Sequence, residues 1–351
     1  MRGATTSALA TRVAVRYSRF MNRIVISALV TLLLSACSHE RRATSGIEFV
    51  ILVPDSRSDV VHRIGMDGRY EGDFLDPARF ESPSIHPSVW RSPRGLIQLE
   101  GSDGRIWMVS ARALSEWSRD GAYVRTLFSD TALLEDPVAI GRVGDEVLVL
   151  SEDKTALLVF DVHGNLVRKT RDARLRRAKD FVLGANGRLY VGARRFTVDT
   201  PGLVTVWDPA YDSAEPQAVD FYVAPETDED GTFWVHSLAF DDVGKLLIID
   251  FAGARLERWD LARNAKVAVL LDGDMPGQYA EIARGPDGLA YLAGSDGIYR
   301  FDSRASAEDL KSLKPFFDAR SIADRYEGGF SPAWLAFVAR SEVGEPRTQG
   351  R

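Results

Sequence analysis

Five polar residues mark the places where short apolar strands are predicted to begin: Asp136, Asp180, His236, Ser237 and Glu281. Asp180, Ser237 and Glu281 each stand seven residues before a glycine, and Asp136 needs an insertion to match. Carboxylate oxygens are ligands that Ca²⁺ accepts, so Asp136, Asp180 and Glu281 are candidate metal ligands. Carboxylates beside an imidazole could also orient a polar ligand or take part in catalysis.

The same positions have an interpretation that needs no ligand. Polar groups at strand ends must find hydrogen-bond partners, and capping a strand or binding water satisfies them. Capping, ligand binding and catalysis therefore all stay open. A dyad of Ser237 and His236 is disfavoured, because adjacent residues of a strand point to opposite faces.

The elements that must position these residues are short strands. Residues 144–171 contain three Val- and Leu-rich runs, Glu146 to Leu150, Ala156 to Asp161 and Leu166 to Thr170, separated by polar turns. Each run is too short for a helix that could bury a face, which predicts antiparallel hairpins.

The same pattern recurs along the chain. An aromatic or apolar residue followed by a turn with Asp, Gly or small residues occurs six times, anchored at Ile64, Trp117, Phe160, Trp207, Trp259 and Phe301, at spacings of 42 to 53 residues. Repeats of about 40 to 50 residues with four strands are typical of β-propeller blades. We therefore predict an all-β fold over residues 47–340, a six-bladed β-propeller of four-stranded antiparallel blades.

The first and last repeats indicate how the ring closes. The first copy has room for only three strands, and an apolar segment, Trp334 to Val338, is left over near the C-terminus. We expect this segment to complete the first blade, because closure removes exposed sheet edges. Ser306 to Asp309 predicts a capped short helix through Leu313, and residues 341–351 are expected to form a flexible tail.

The blade sequence resembles the NHL-type and TolB-like six-bladed propellers. Three segments carry the resemblance: Asn186 to Val191, Gly244 to Asp250 and Gly288 to Leu292. It implies a fold and no particular activity, since such propellers include enzymes, binders and sensor domains. Metal-dependent hydrolases and lyases of the gluconolactonase-like type are the enzymatic alternative, although Glu81 and Asn186 fit their ligand pattern poorly. A zinc site of three histidines is not expected, since only His236 and His86 could reach the channel.

The N-terminus predicts export. Residues 1–36 contain five arginines, no acidic residue, and an apolar run too short to span a membrane, which is typical of a signal peptide. Leu34-Ser35-Ala36-Cys37 resembles the lipobox of bacterial lipoproteins, with Met21 as an alternative start. The resemblance implies cleavage before Cys37, lipid on that residue, and anchoring in a bilayer. Ser38 after the cysteine points to the outer membrane, and residues 37–46 would be the tether.

Charge limits the class of partner. Without residues 1–36 the chain carries 39 Lys and Arg against 50 Asp and Glu, a net charge of −11. An acidic body disfavours nucleic acid as a partner.

Two long connections, Phe74 to Trp90 and Tyr211 to Trp234, make Trp90 and Trp234 candidates for a binding surface. We expect a non-catalytic envelope lipoprotein that binds a small molecule or a protein at its channel mouth or loops, without a cofactor other than a potential Ca²⁺. The alternatives are the hydrolase or lyase and a structural subunit of an envelope complex.

Overall fold

The computed structural model describes residues 47–76, 89–99, 104–151, 155–193, 203–207, 219–222, 234–251, 254–273, 279–326 and 329–340. Within these ranges the chain forms six sheets of four antiparallel strands each. The sheets follow one another as the blades of a six-bladed β-propeller, which confirms the predicted fold.

Blade 1 contains β1 (Phe49–Asp55), β2 (Val60–Gly65), β3 (Tyr70–Leu75) and the last strand of the chain, β24 (Ala336–Ala339). Blade 2 contains β4 (Gly95–Gln98), β5 (Ile106–Ser110), β6 (Ala113–Trp117) and β7 (Tyr123–Phe128), and blade 3 contains β8 (Pro137–Val143), β9 (Glu146–Ser151), β10 (Ala156–Asp161) and β11 (Leu166–Arg171). Blade 4 contains β12 (Ala178–Leu183), β13 (Leu189–Ala193), β14 (Leu203–Trp207) and β15 (Val219–Tyr222). Blade 5 contains β16 (Val235–Phe240), β17 (Leu246–Asp250), β18 (Arg255–Asp260) and β19 (Ala265–Asp272), and blade 6 contains β20 (Tyr279–Arg284), β21 (Ala290–Gly294), β22 (Gly297–Phe301) and β23 (Phe317–Asp318).

The C-terminal strand closes the ring, as predicted. β24 pairs antiparallel with β1, Val338 opposite Val50 and Ala336 opposite Leu52, and becomes the inner strand of blade 1. The first blade therefore takes its strands from both ends of the propeller sequence.

The hydrophobic core is divided among the six interfaces between neighbouring blades. Each interface holds one cluster of buried side chains, for example Trp107 and Ile140 between blades 2 and 3. Trp117, Trp207 and Trp259 are each at most 5% exposed and lie in these clusters. This agrees with the packing role that their place in the repeat predicts.

The repeated aromatic-Asp turns are held by the aspartate itself. In blade 3, Oδ1 of Asp161 accepts the backbone N–H groups of His163 and Asn165, both at 2.9 Å. In blade 1 the corresponding turn brings Gly68 against the neighbouring blade. Its φ is +83°, and a Cβ there would stand 2.1 Å from the carbonyl oxygen of Phe316, so glycine is required.

Blade 6 has an irregular outer edge, as predicted. Helix α1 (Ala307–Lys311) has Ser306 as its N-cap in a capping box with Asp309, and it ends two residues before the predicted Leu313. The outer strand β23 has only two residues, and a 3₁₀ helix (Ala319–Arg325) follows it. A second 3₁₀ helix, Ala173–Leu175, precedes blade 4.

One of the two long connections predicted from the sequence contains a strand and is therefore shorter than expected. The segment from Tyr211 to Trp234 contains β15, which pairs with β14 and supplies the outer strand of blade 4. The four-residue run Val219–Tyr222 is too short to stand out from the polar sequence around it. Residues 77–88 of the other long connection lie outside the described ranges.

The chain separates by its contacts into Met1–Ile47 and Glu48–Arg351. Of the first unit only Ile47 is described, so Cys37 and the segments 1–36 and 37–46 lie outside the described residues, as does 341–351. In the described residues, no helix is long and apolar enough to cross a membrane.

The two ends of the propeller differ in what they carry. The four strands of a blade alternate in direction, so all outer strands finish at the same end of the propeller. Each following inner strand begins at that end. We call this end the loop face; it carries the segments that lead into the inner strands, such as 129–136, 172–177 and 329–335. β1 begins at the opposite end, beside the end of β24.

Candidate functional site

Three of the predicted polar positions come together near the axis. The hydroxyl of Ser237 donates to Oδ2 of Asp180 at 2.9 Å, and the same oxygen accepts the N–H of Leu238 at 2.7 Å. Ser237 Oγ in turn accepts the N–H of Ile282 at 3.1 Å. Blades 4, 5 and 6 are thereby joined by side chain to backbone bonds between their inner strands, and we call Asp180, Ser237 and Glu281 the axial ladder.

Both carboxyl groups of the axial ladder are buried and shifted in pKa. Asp180 is 2% exposed, and burial raises its pKa to about 7 against the opposing bonds from Leu238, Ser237 and Phe181. Glu281 is 5% exposed, and burial together with the charge of Asp180 raises its pKa well above its usual value. Because each charge disfavours the other, the two carboxyl groups resist being ionised at the same time.

The axial ladder therefore connects neighbouring blades, and its side chains are almost completely shielded from solvent. Oxygens of Asp180 and Ser237 accept backbone N–H groups of the neighbouring inner strands, which is the capping interpretation that the sequence left open. Among the described residues, no group of three or more His, Cys, Asp or Glu side chains could hold a metal ion.

Asp136 does not join the axial ladder. A β-bulge at the start of the inner strand shifts the register after Pro137, Ala178, Val235 and Tyr279. Asp180 is the first residue after the bulge of blade 4, where it pairs with Gly192 of the second strand. The equivalent residue of blade 3 is Ala139, which pairs with Leu150. Asp136 instead has φ +46°, is 39% exposed, and lies 3.3 Å from Arg94. All four blades share this bulge, and blade 3 differs in the turn that follows its inner strand. Val143 pairs with Glu146 across that turn, whereas Leu183 pairs with Leu189 in blade 4. The shorter turn of blade 3 changes the spacing to the glycine, so the count from the glycine pointed to Asp136.

His236 and Trp234 meet through a residue that the sequence did not single out. Both rings stack on Phe251, with centroid separations of 5.1 Å for His236 and 5.8 Å for Trp234, the latter nearly parallel at 5°. The backbone N–H of Trp234 donates to Oδ1 of Asp250 at 3.0 Å, and the backbone N–H of Phe251 donates to the carbonyl of Trp234. All three residues are half-buried and lie on the loop face, and we call them the aromatic trio.

Local strand geometry explains the division between His236 and Ser237. His236 is the bulged residue of β16, so its ring joins the aromatic trio while the neighbouring Ser237 side chain bonds to Asp180. The two side chains serve different clusters and do not form a nucleophile and base pair.

Trp90 lies apart from the aromatic trio. It precedes the inner strand of blade 2, which stands across the ring from blade 5, and packs on the cluster between blades 1 and 2. The guanidinium of Arg91 lies 5.9 Å from its ring centroid. The two tryptophans proposed for a binding surface therefore belong to different sectors of the loop face.

Sequence reasoning missed a buried charged cluster in blade 1. His62 lies on β2, the third strand from the axis, and its two carboxylate neighbours, Asp55 and Asp73, come from the adjacent strands β1 and β3. A histidine inside the apolar run of β2 was the available signal, since a buried imidazole needs hydrogen-bond partners.

Comparisons with known proteins support the fold. No family model and no curated protein matches the sequence. The solved structures that match include a nidogen/laminin complex, with 14% sequence identity over 83% of this chain and 98% of that one and a TM-score of 0.59. A protein of unknown function from Bacteroides caccae matches with 14% identity over 83% of this chain and 99% of that one and a TM-score of 0.56. A streptogramin B lyase is more distant, with 13% identity over 74% of this chain and 89% of that one and a TM-score of 0.47. At these identities the likeness extends to the propeller fold alone.

Proposed function

We propose that this protein is a non-catalytic binding protein of the cell envelope, which takes a ligand or a protein partner on its loop face at the aromatic trio. The observation that supports this proposal is the stack of Trp234, Phe251 and His236, three half-buried aromatic residues beside the start of an inner strand. Aromatic side chains with one buried and one exposed face are frequent at recognition surfaces.

The burial of the axial ladder supports a binding function over a catalytic one. Asp180 and Glu281 have raised pKa values, as catalytic acids often do, yet each is at most 5% exposed. A general acid or base must come within hydrogen-bond reach of its substrate. Groups that already accept bonds from neighbouring strands are poorly placed to do so.

Binding at the aromatic trio can be tested with a defined panel of probes. Neutral sugars, aromatic amino acids and short peptides are titrated into the full chain, followed by tryptophan fluorescence and thermal shift. Trp234→Ala and Phe251→Ala should abolish a response seen in the wild type. Val167→Ala, which changes an exposed side chain on β11, is the matched control and should retain it. Equal responses in all four proteins would contradict a site at the aromatic trio.

Anchoring through Cys37 is the second part of the proposal. Its support is the sequence Leu34-Ser35-Ala36-Cys37 after a basic and apolar segment, with Cys37 the only cysteine of the chain. Acyl chains contribute about 0.8 kcal/mol of membrane affinity per buried methylene, so a multiply acylated residue anchors stably. Cys37→Ala should move the protein from the membrane fraction to the soluble fraction. Unchanged membrane retention would exclude this anchor.

A metal-dependent hydrolase or lyase is the second candidate, favoured by one observation. Raised carboxyl pKa values are typical of catalytic acids, and Asp180 and Glu281 both have them. Turnover of a lactone panel with and without Ca²⁺ or Zn²⁺, lost in Asp180→Asn and in Glu281→Gln, would favour this candidate over binding alone.

A further inference from the structure

His62 lies at the seam where the last blade meets the first. It is completely buried on β2. Its Nδ1 stands 3.4 Å from Oδ1 of Asp73, and its Nε2 stands 3.5 Å from Oδ2 of Asp55. The rings of Tyr326 and Phe330 pack against the imidazole, with centroid separations of 4.9 and 5.6 Å. The imidazole is thus enclosed by two carboxylates and by the segment that leads to the closing strand.

Asp55 connects His62 to that segment directly. Its Oδ2 accepts the N–H of Ser331 at 3.1 Å, and its Oδ1 accepts the N–H groups of Arg57 and Ser58 at 2.9 and 3.2 Å. The N–H of Ala333 also donates to the carbonyl of Pro54. We call residues 329–335 the return segment; it is attached to blade 1 beside the carboxylate that faces His62.

Asp73 makes the second connection. Its Oδ1 accepts the hydroxyl of Tyr326 at 2.6 Å and the hydroxyl of Tyr70, and the two tyrosine oxygens lie 3.1 Å apart. The guanidinium of Arg325 lies over the Tyr70 ring at 5.3 Å. Among the described residues, the titratable and charged groups around the imidazole are therefore Asp55 from β1, Asp73 and Tyr70 from β3, and Tyr326 with Arg325 after blade 6.

This geometry requires a particular protonation state. Both carboxylates accept hydrogen bonds from N–H or O–H donors, which favours their ionised form. A neutral imidazole has one donor nitrogen and one lone pair, so one of the two carboxylates would face a lone pair. Only the imidazolium places a donor toward both Asp55 and Asp73.

The pKa directions agree with the geometry. Burial alone would lower the pKa of His62, but its contacts with Asp55 and Asp73 outweigh burial and raise it. Burial would raise the pKa values of Asp55 and Asp73, but the nearby His62 and the hydrogen-bond donors around each carboxylate lower them, that of Asp73 to about 2. Hydrogen bonding to Asp73 together with burial raises the pKa of Tyr326 to about 12.

We propose that His62 is a pH-operated latch on ring closure: as an imidazolium it holds the return segment through Asp55 and Asp73, and its deprotonation loosens that segment. The latch acts at the seam between blades 6 and 1, separately from the aromatic trio of blade 5. It therefore regulates the shape of the loop face whatever that face binds.

The direction of the pH dependence follows from linkage. The contribution of His62 is fully present below its unfolded pKa of 6.5 and is lost as the pH rises through its higher folded value. The contributions of Asp55 and Asp73 are present above 3.8 and are lost only as the pH falls through their lower folded values. The latch is therefore complete between pH 3.8 and 6.5 and weakens on the alkaline side.

The test combines a titration of His62 with a local measure of opening. Imidazole NMR signals of the full chain are followed from pH 5 to 9, and hydrogen exchange is measured on peptides within 329–339 at pH 6 and pH 9, corrected for the intrinsic rate. We expect His62 to titrate above 6.5 and the protection of 329–339 to fall about tenfold between the two pH values. His163→Gln, which changes an exposed histidine of the β10–β11 turn, should behave as the wild type.

Two variants separate the latch from a merely buried histidine. His62→Gln should give low protection of 329–339 at both pH values. Asp73→Asn should lower the pKa of His62 and move the midpoint of opening to lower pH by the same amount, and it decides the question if His62→Gln does not fold. A His62 pKa at or below 6.5, or protection that changes with pH equally in the wild type and His62→Gln, would overturn the proposal.

Discussion

Ser237 on the inner strand of blade 5 donates a 2.9 Å hydrogen bond to Asp180 on the inner strand of blade 4. The Ser237 hydroxyl also accepts the N–H of Ile282 from blade 6, so one buried oxygen links three blades. The ring is held mainly by apolar packing between blades, which is not directional. This link fixes how the inner strands of blades 4, 5 and 6 are positioned relative to one another along the propeller axis. It also explains why a small polar residue stands where a strand interior would otherwise be apolar.

Replacing Ser237 with alanine should destabilise the propeller. The substitution removes a donor from Asp180 and leaves the Ile282 N–H without its acceptor, and a buried unsatisfied polar group costs about 1–3 kcal/mol. Urea unfolding of Ser237→Ala should show a loss of that size. Ser118→Ala, which alters exposed bonds within its own turn, should stay within about 0.5 kcal/mol of the wild type. Equal effects of the two substitutions would contradict the linking role of Ser237.

Replacing Glu281 with glutamine should change how stability depends on pH. The raised pKa of Glu281 means that its contribution is present below its ordinary value of 4.5 and is lost as the pH rises through the folded value. Glutamine stays neutral throughout. The wild type should therefore lose stability relative to Glu281→Gln as the pH rises from 5 to 9.

The control for this prediction is Glu308→Gln, since Glu308 is 87% exposed. Urea unfolding at pH 5, 7 and 9 of both variants and the wild type gives the comparison. Any pH dependence from His62 is common to all three proteins and cancels in the differences. A constant difference between the wild type and Glu281→Gln across this range would show that Glu281 is ionised in the fold.

The indole of Trp207 should show energetic coupling to Thr205. Trp207 is 1% exposed, and its Nε1–H donates to the hydroxyl of Thr205 at 2.7 Å. Trp207→Phe leaves a cavity and a buried hydroxyl without its donor, at an expected cost of about 2–4 kcal/mol. A double-mutant cycle with Thr205→Val should give a coupling of about 0.5–1.5 kcal/mol. Additive effects would mean that the indole N–H contributes nothing beyond packing.

The sequence predicts this fold well because the blade pattern is local. Alternating apolar residues locate most strands to within a few residues, and the three-strand first repeat correctly requires β24 to close it. The spacing of Asp180, Ser237 and Glu281 likewise predicts their convergence. The failures come from features that spacing cannot encode: the short β8–β9 turn, which puts Ala139 where Asp136 was expected, and the short strand β15.

Two clusters could not be predicted because their members are distant in sequence. His62 stands out as a histidine in the apolar run of β2, but it meets Tyr326 only when the ring closes, and no local pattern identifies that partner. Phe251 follows β17 as an ordinary apolar residue, and its stacking on Trp234 depends on the register between β16 and β17. Both clusters are consequences of tertiary geometry.

The glycines of two turns provide a test of how closely the blades approach one another. Gly68 and Gly187 have similar backbones, with φ of +83° and +73°. A Cβ on Gly187 would meet nothing within 4 Å, whereas one on Gly68 would stand 2.1 Å from the carbonyl oxygen of Phe316 in the neighbouring blade. Gly187→Ala should therefore cost only the left-handed backbone penalty, about 1–2 kcal/mol. Gly68→Ala should cost about 1–3 kcal/mol more, because the turn must move away from blade 6. Urea unfolding of the two variants measures the difference directly, and equal losses would mean that the turn of blade 1 does not rest against Phe316.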